Sequence, residues 1–172
     1  VDELLQRCGF AERVTIHYEP STYTWRLMKL LEEDPTPRFD LCFIDGAHTW
    51  ADDGFAFFLA DRLLRDGGWI ILDDLDWTFS RAPDAYTRSL ARTLAAEERN
   101  TAQIRKVYEL LVKSHPNYGE FKTEGHWAYA RKLGSQRAGE IRTTTGVWPA
   151  RRPSMIRSGP GGIVWIRKGT SI

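Results

Sequence analysis

Two short apolar runs, each closed by aspartate, constrain the fold of this chain more than any other feature. Phe39-Asp-Leu-Cys-Phe-Ile44 leads into Asp45, and Trp69-Ile-Ile-Leu72 leads into Asp73-Asp74. Near-continuous apolar runs of this length are strands buried on both faces, the habit of a parallel sheet. Between them, Trp50 to Leu64 has a helical pattern with Phe55, Phe58, Leu59 and Leu63 in register, stopped by Arg65-Asp-Gly-Gly68. Upstream, Arg13-Val-Thr-Ile-His-Tyr18 reads as a further strand, β-branched and apolar. Ser21 or Thr22 caps a helix to about Glu33 that carries Leu27, Leu30 and Leu31 on one face, and Asp34-Pro-Thr-Pro37 breaks it. A helix over Asp2–Cys8 stops at Gly9. Strand, helix, strand, helix, strand is a βαβαβ pattern, which predicts an α/β fold with right-handed crossovers and a parallel sheet.

In open sheets of this kind ligands bind beyond the carboxyl ends of the strands. The acidic and histidine residues gather at those ends: Glu19 after the first strand, Asp45 and His48 after the second, Asp73 and Asp74 after the third. Neighbouring strands lie about 4.8 Å apart, so Asp45, Asp73 and Asp74 converge if their strands are adjacent. Ionised carboxylates that close demand a cation or a raised pKa, and a hard divalent ion suits such an oxygen cage. Successive strand residues face opposite ways, so Asp73 and Asp74 share an ion only if the strand has already ended. The competing reading is that these aspartates cap helices or line a solvated loop. His48, three residues past Asp45, is a candidate general base near neutral pH. Trp50, Trp77 and Phe79 flank the same rim and are candidates to wall an apolar substrate, against the plainer reading that they pack. Ser21 and Glu19 are candidates to face a cofactor, against a helix cap and a surface acid. His17, His115 and His126 are read as structural.

Downstream, Trp77–Ala85 reads as a loop, Ala85–Asn100 and Ala102–Lys113 as helices, and Phe121–Thr123 with Trp127–Lys132 as a terminal hairpin. The net charge of +1 conceals a division. Residues 1–134 carry 17 basic and 22 acidic side chains, and residues 135–172 carry seven basic and one acidic. The latter also hold six glycines and three prolines, which leave only Gly162-Ile-Val-Trp-Ile-Arg167 with a regular pattern. Two units follow: a globular portion over 1–133 and a basic, flexible tail over 134–172. The tail's arginines are dispersed, which favours a solvated tail over nucleic-acid binding. No apolar run approaches the roughly 20 residues of a membrane span. Cys8 and Cys42 have no metal-like spacing, so a soluble, cytoplasmic protein is the expectation.

The segment Phe39-Asp-Leu-Cys-Phe-Ile-Asp-Gly-Ala-His-Thr-Trp50, a helix, then Leu64-Arg-Asp-Gly-Gly-Trp-Ile-Ile-Leu-Asp-Asp74 resembles the fourth and fifth strands of class I S-adenosylmethionine-dependent methyltransferases. The likeness is strongest to small-molecule O-methyltransferases with an IDGAH and a GG…DD element. Arg13-Val-Thr-Ile-His17 is similar to that fold's third strand, with Ser21 at a serine often found after it, and Trp127-Ala-Tyr-Ala-Arg-Lys132 is similar to its last. The resemblance spans residues 2–133. It implies a Rossmann-like, mostly parallel sheet with a terminal β-hairpin. It further implies S-adenosylmethionine contacted by Ser21, Glu19, Asp45 and Gly46, and Mg²⁺ or another divalent cation held by Asp45, Asp73 and Asp74. His48 would be the base, with a small hydroxylated acceptor against Trp50 and Trp77. The family's glycine-rich loop and the acid ending its second strand are absent, so an N-terminally incomplete domain is expected. Glu19-Pro20 also stands where relatives often have Gly-Asp. A non-catalytic Rossmann-like binding module and a dehydrogenase on a similar sheet are the alternatives. The acceptor's identity and the oligomeric state, a homo-oligomer included, are left open.

Overall fold

The two apolar runs lie side by side. Phe39–Asp45 forms β1 and Leu64–Leu72 forms β2, paired parallel with Leu41 opposite Trp69 and Ile44 opposite Leu72. The computed structural model describes residues 2–82, 89, 91–134 and the strand 162–166. Between Phe39↔Leu64 and Leu41↔Trp69 the register shifts, and Arg65–Gly68 takes up the slack, with Gly67 in the left-handed region at φ 79°. The hairpin is Tyr118–Glu124 (β3) and Trp127–Lys132 (β4), and β4 adds antiparallel to β2. Gly162–Ile166 (β5), the one regular stretch read in the basic segment, pairs antiparallel with the other side of β1. The sheet order is β3-β4-β2-β1-β5. A Rossmann-like α/β sheet with a terminal hairpin is thus present, its parallel part being the central pair.

Trp50–Leu63 (α3) supplies the crossover between β1 and β2. It packs against Tyr23–Glu33 (α2) and against a later helical stretch. The first helix, Asp2–Arg7 (α1), ends before Gly9, whose φ of 70° makes it a fitting C-terminal glycine. Thr22 caps α2, its Oγ1 accepting the amides of Thr24 and Trp25 at 3.1 and 3.4 Å. Ala96–Asn100 (α4) and Gln103–Val107 (α5) follow, the latter running into one π-helical turn at Tyr108–Val112. Cys42, Phe57, Ala60, Leu63, Leu64, Val107 and Val112 have no exposed surface and form the centre of the core.

Three expectations are corrected here. Arg13–Tyr18 is no strand: a 3-10 turn at Ala11–Arg13 is followed by an extended Val14 and residues outside any ladder. Strand propensity needs a partner, and both sides of β1 are taken by β2 and β5. In α3 the buried residues are Asp53, Gly54, Ala56, Phe57, Ala60 and Leu63, while Phe55 and Phe58 are exposed. The helix packs on the sheet and on two helices at once, so its inner side mixes small residues with Phe57 and Leu63 and leaves Phe55 and Phe58 outside. The helix read over Ala85–Asn100 is interrupted: Ser89 and Ala91 are helical, residues 92–95 are not, and helix resumes as α4; residues 83–88 and 90 lie outside the described ones, as does the end of the Trp77–Ala85 loop. The tail, apart from residue 134 and β5, also lies outside them.

Candidate functional site

β1 and β2 end together, and the last ladder bond runs from the Asp73 amide to the Ile44 carbonyl at 3.0 Å. Beyond it the chain turns sharply on both strands: His48 has φ 59° and Asp74 has φ 51°. A non-glycine residue in this region costs about 1–2 kcal/mol, and two sit within one cluster. His48 Nε2 lies 3.4 Å from Asp45 Oδ1 and 3.2 Å from Asp74 Oδ2, yet forms a well-directed hydrogen bond to neither although it is buried. The three side chains are 34 %, 20 % and 38 % exposed in the order Asp45, His48, Asp74, so a ligand can reach them. Ligand atoms of all three lie within 4.8 Å of one another. Burial works to lower the His48 pKa, but Asp45, Asp74 and Asp53 outweigh it and leave it raised above the ordinary 6.5.

Asp73 lies beside that trio, outside the 4.8 Å cluster of ligand atoms. Its carboxylate accepts the Asp74 amide at 2.7 Å. Burial raises its pKa, with the nearby charges of Asp74 and Asp45 adding to it, opposed by that amide and by Trp127. Trp77 lies against the His48 ring, centroids 4.7 Å apart and planes tilted 39°, and Phe79 abuts Trp77 edge-on at 4.7 Å. Trp50 is 41 % exposed at the start of α3, its amide donating to Gln103 Oε1 at 2.7 Å. Glu19 is engaged by Arg26 at 2.7 Å and Lys29 at 3.0 Å. Ser21 is exposed just before α2.

The residue that sequence reasoning missed is Asp53. It is fully buried in α3, accepts the Tyr23 hydroxyl at 2.6 Å and accepts the Thr49 amide at 3.0 Å. Tyr23 Oη in turn accepts the Ala47 amide at 3.3 Å. Burial pushes the Asp53 pKa up to about 6, against the pull of Tyr23, His48 and the Thr49 amide. Gly46 belongs to the same packing: a Cβ there would fall 1.7 Å from Asp53 Oδ1 and 2.4 Å from Tyr23 Oη. No signal in the sequence marks Asp53, because its partner Tyr23 is thirty residues away.

The donor chemistry at the rim fits a divalent cation. Two carboxylates that face one imidazole, with an orphaned Nε2 between them, leave charge that either a proton on His48 or a cation neutralises. Residues 1–75 match the family model of a methyltransferase domain. That span includes Asp45, His48 and Asp74, together with Tyr23 and Asp53. No curated protein matches the chain. Among the described residues, no helix is long and apolar enough to cross a membrane.

Proposed function

From a methyltransferase-domain match over residues 1–75, we propose that the chain serves S-adenosylmethionine-dependent methyl transfer to an oxygen of a small hydroxylated molecule. The observation that carries the reading is the convergence of Asp45, His48 and Asp74 beyond the carboxyl ends of β1 and β2, inside the matched segment. Ligands of open α/β sheets bind there.

Each residue then has a task. Asp45 and Asp74 would hold a divalent cation, which supplies Lewis acidity to the acceptor oxygen. S-adenosylmethionine supplies a methyl on a sulfonium, and Ser21 with the Asp45–Gly46 turn would face it. Glu19, held by Arg26 and Lys29, would face it as well. His48 would take the proton of the acceptor hydroxyl, and does so in its neutral form. Trp77 holds one side of the imidazole and restricts its rotation. Trp50, standing free at the rim, walls the acceptor. Positioning donor and acceptor in line supplies much of the acceleration.

Calorimetric titration of the full protein with S-adenosylmethionine, with and without Mg²⁺, tests the reading. Binding of the donor is expected, and absence of binding in both conditions would sink it.

A further inference from the structure

His48 occupies a left-handed backbone conformation in a short turn, and nothing in the turn's own sequence compels that. What surrounds it does. The amide before it, of Ala47, donates to Tyr23 Oη, and the amide after it, of Thr49, donates to Asp53 Oδ2. Tyr23 in turn donates to Asp53 Oδ1 at 2.6 Å. Both flanking amides are thus tied to one fully buried carboxylate, one directly and one through a phenol. The packing leaves no slack, since Gly46 has no room for a Cβ against Asp53 and Tyr23. Thr49 and Gln103 fix the turn's far end by accepting the amides of Asp52 and Trp50.

We propose that Asp53, acting with Tyr23, is the positioning residue of this site: it clamps the amides on both sides of His48 and thereby aims the imidazole at Asp45 and Asp74. The proposal rests on the reading of that rim as the reaction site. A buried carboxylate without a cation partner is costly, and among the described residues the hydrogen-bond contacts of Asp53 are a phenol and an amide. A side chain kept for core packing alone would be better replaced by an apolar one. The cost is understandable where a strained turn must be held to one geometry, because residues behind a site orient those that act.

The test uses the full chain, its Asp53→Asn and Tyr23→Phe variants, and Tyr108→Phe as a comparator. Tyr108 donates to the carbonyls of Lys122 and Tyr129, and its loss perturbs stability alone. Three quantities are read: Mn²⁺ affinity by calorimetry, the His48 imidazole signals by NMR, and the melting temperature. Asp53→Asn turns one acceptor into a donor that faces a donor. It should shift the His48 signals and, because the clamped turn also carries the chain out of the ligand Asp45, weaken Mn²⁺ binding about tenfold, the low end of what supports behind metal ligands are worth. Tyr23→Phe should do both to a lesser degree, and it carries the test if Asp53→Asn does not fold. Tyr108→Phe should lower the melting temperature and leave the other two readouts in place. An Asp53→Asn protein that melts earlier but keeps wild-type His48 signals overturns the proposal. If the wild type binds no Mn²⁺, the cation reading fails separately, and the His48 signals still decide the role of Asp53.

Discussion

The two ends of the central strands handle charge in opposite ways. At the amino end of β2, Lys132 Nζ donates to the carbonyls of Asp61 and Leu64 at 2.6 and 3.0 Å and pairs with the Asp61 carboxylate at 3.1 Å. One lysine thus adds a donor to two carbonyls where α3 ends, one of which, that of Asp61, also accepts the Leu64 amide, and neutralises an acid on the same helix. At the carboxyl end, Asp45 and Asp74 crowd one imidazole, two residues sit at positive φ, and the buried Nε2 has no well-directed partner. Both ends hold buried polar atoms without a well-directed hydrogen bond among the described residues, Asp61 Oδ1 at one and His48 Nε2 at the other, but opposite charges meet at the first while like charges and positive-φ residues gather at the second. Rules of local consistency are broken at functional sites more than elsewhere, which is in keeping with the carboxyl end as the site proposed above.

The difference can be broken from either side. Lys132→Met should have the largest effect on stability, because it leaves Asp61 without its cation. Loss of one partner of a buried pair costs about 3 kcal/mol, read by urea unfolding, with the His48 NMR signals unmoved. Gly46→Ala should cost about 2 kcal/mol by overpacking and, unlike the first, should disturb those signals, since the new Cβ collides with Asp53 and Tyr23. The pH dependence of unfolding is a further handle. The Asp53 pKa of about 6 in the fold lies above its ordinary 3.8, so the folded state keeps a proton that the unfolded chain has released. Its contribution to stability is full below pH 3.8 and is lost as the pH rises through 6, a change on the order of 3 kcal/mol. Asp53→Asn should flatten that slope in denaturation curves taken from pH 4 to 7. The smallest stability change belongs to Asp74→Asn. Asparagine tolerates the left-handed region, and relief of repulsion offsets lost contacts, so unfolding should shift by less than about 0.5 kcal/mol while cation binding is lost.

The same contrast explains what could be read from the residues in order. β1, β2 and their terminal aspartates were legible because a strand buried on both faces leaves an unbroken apolar run. The hairpin and the Thr22 cap follow from local chemistry as well. Arg13–Tyr18 was misread because propensity does not supply a neighbouring strand. The inner side of α3 was misread because a helix packed on three sides hides its small residues and leaves Phe55 and Phe58 outside. Asp45, Asp73 and Asp74 were legible as a group, with His48 beside them, from their positions at strand ends. That His48 stands between Asp45 and Asp74 while Asp73 accepts the Asp74 amide was not, since it depends on a positive φ at Asp74. Asp53 was invisible: a second acid beside Asp52 near a helix start reads as a dipole-favoured surface residue, and only the fold brings Tyr23 above it.

Methyl transfer from labelled S-adenosylmethionine to a panel of small phenols and alcohols, run with the full protein and Mg²⁺, tests the central claim most directly. The account predicts transfer by the wild type and by Lys132→Met below its melting temperature. His48→Ala should lose about a hundredfold or more in kcat/KM, the scale of a general base, and Asp74→Asn should fall with it at an unchanged melting temperature. Transfer by both rim variants at the wild-type rate would contradict it.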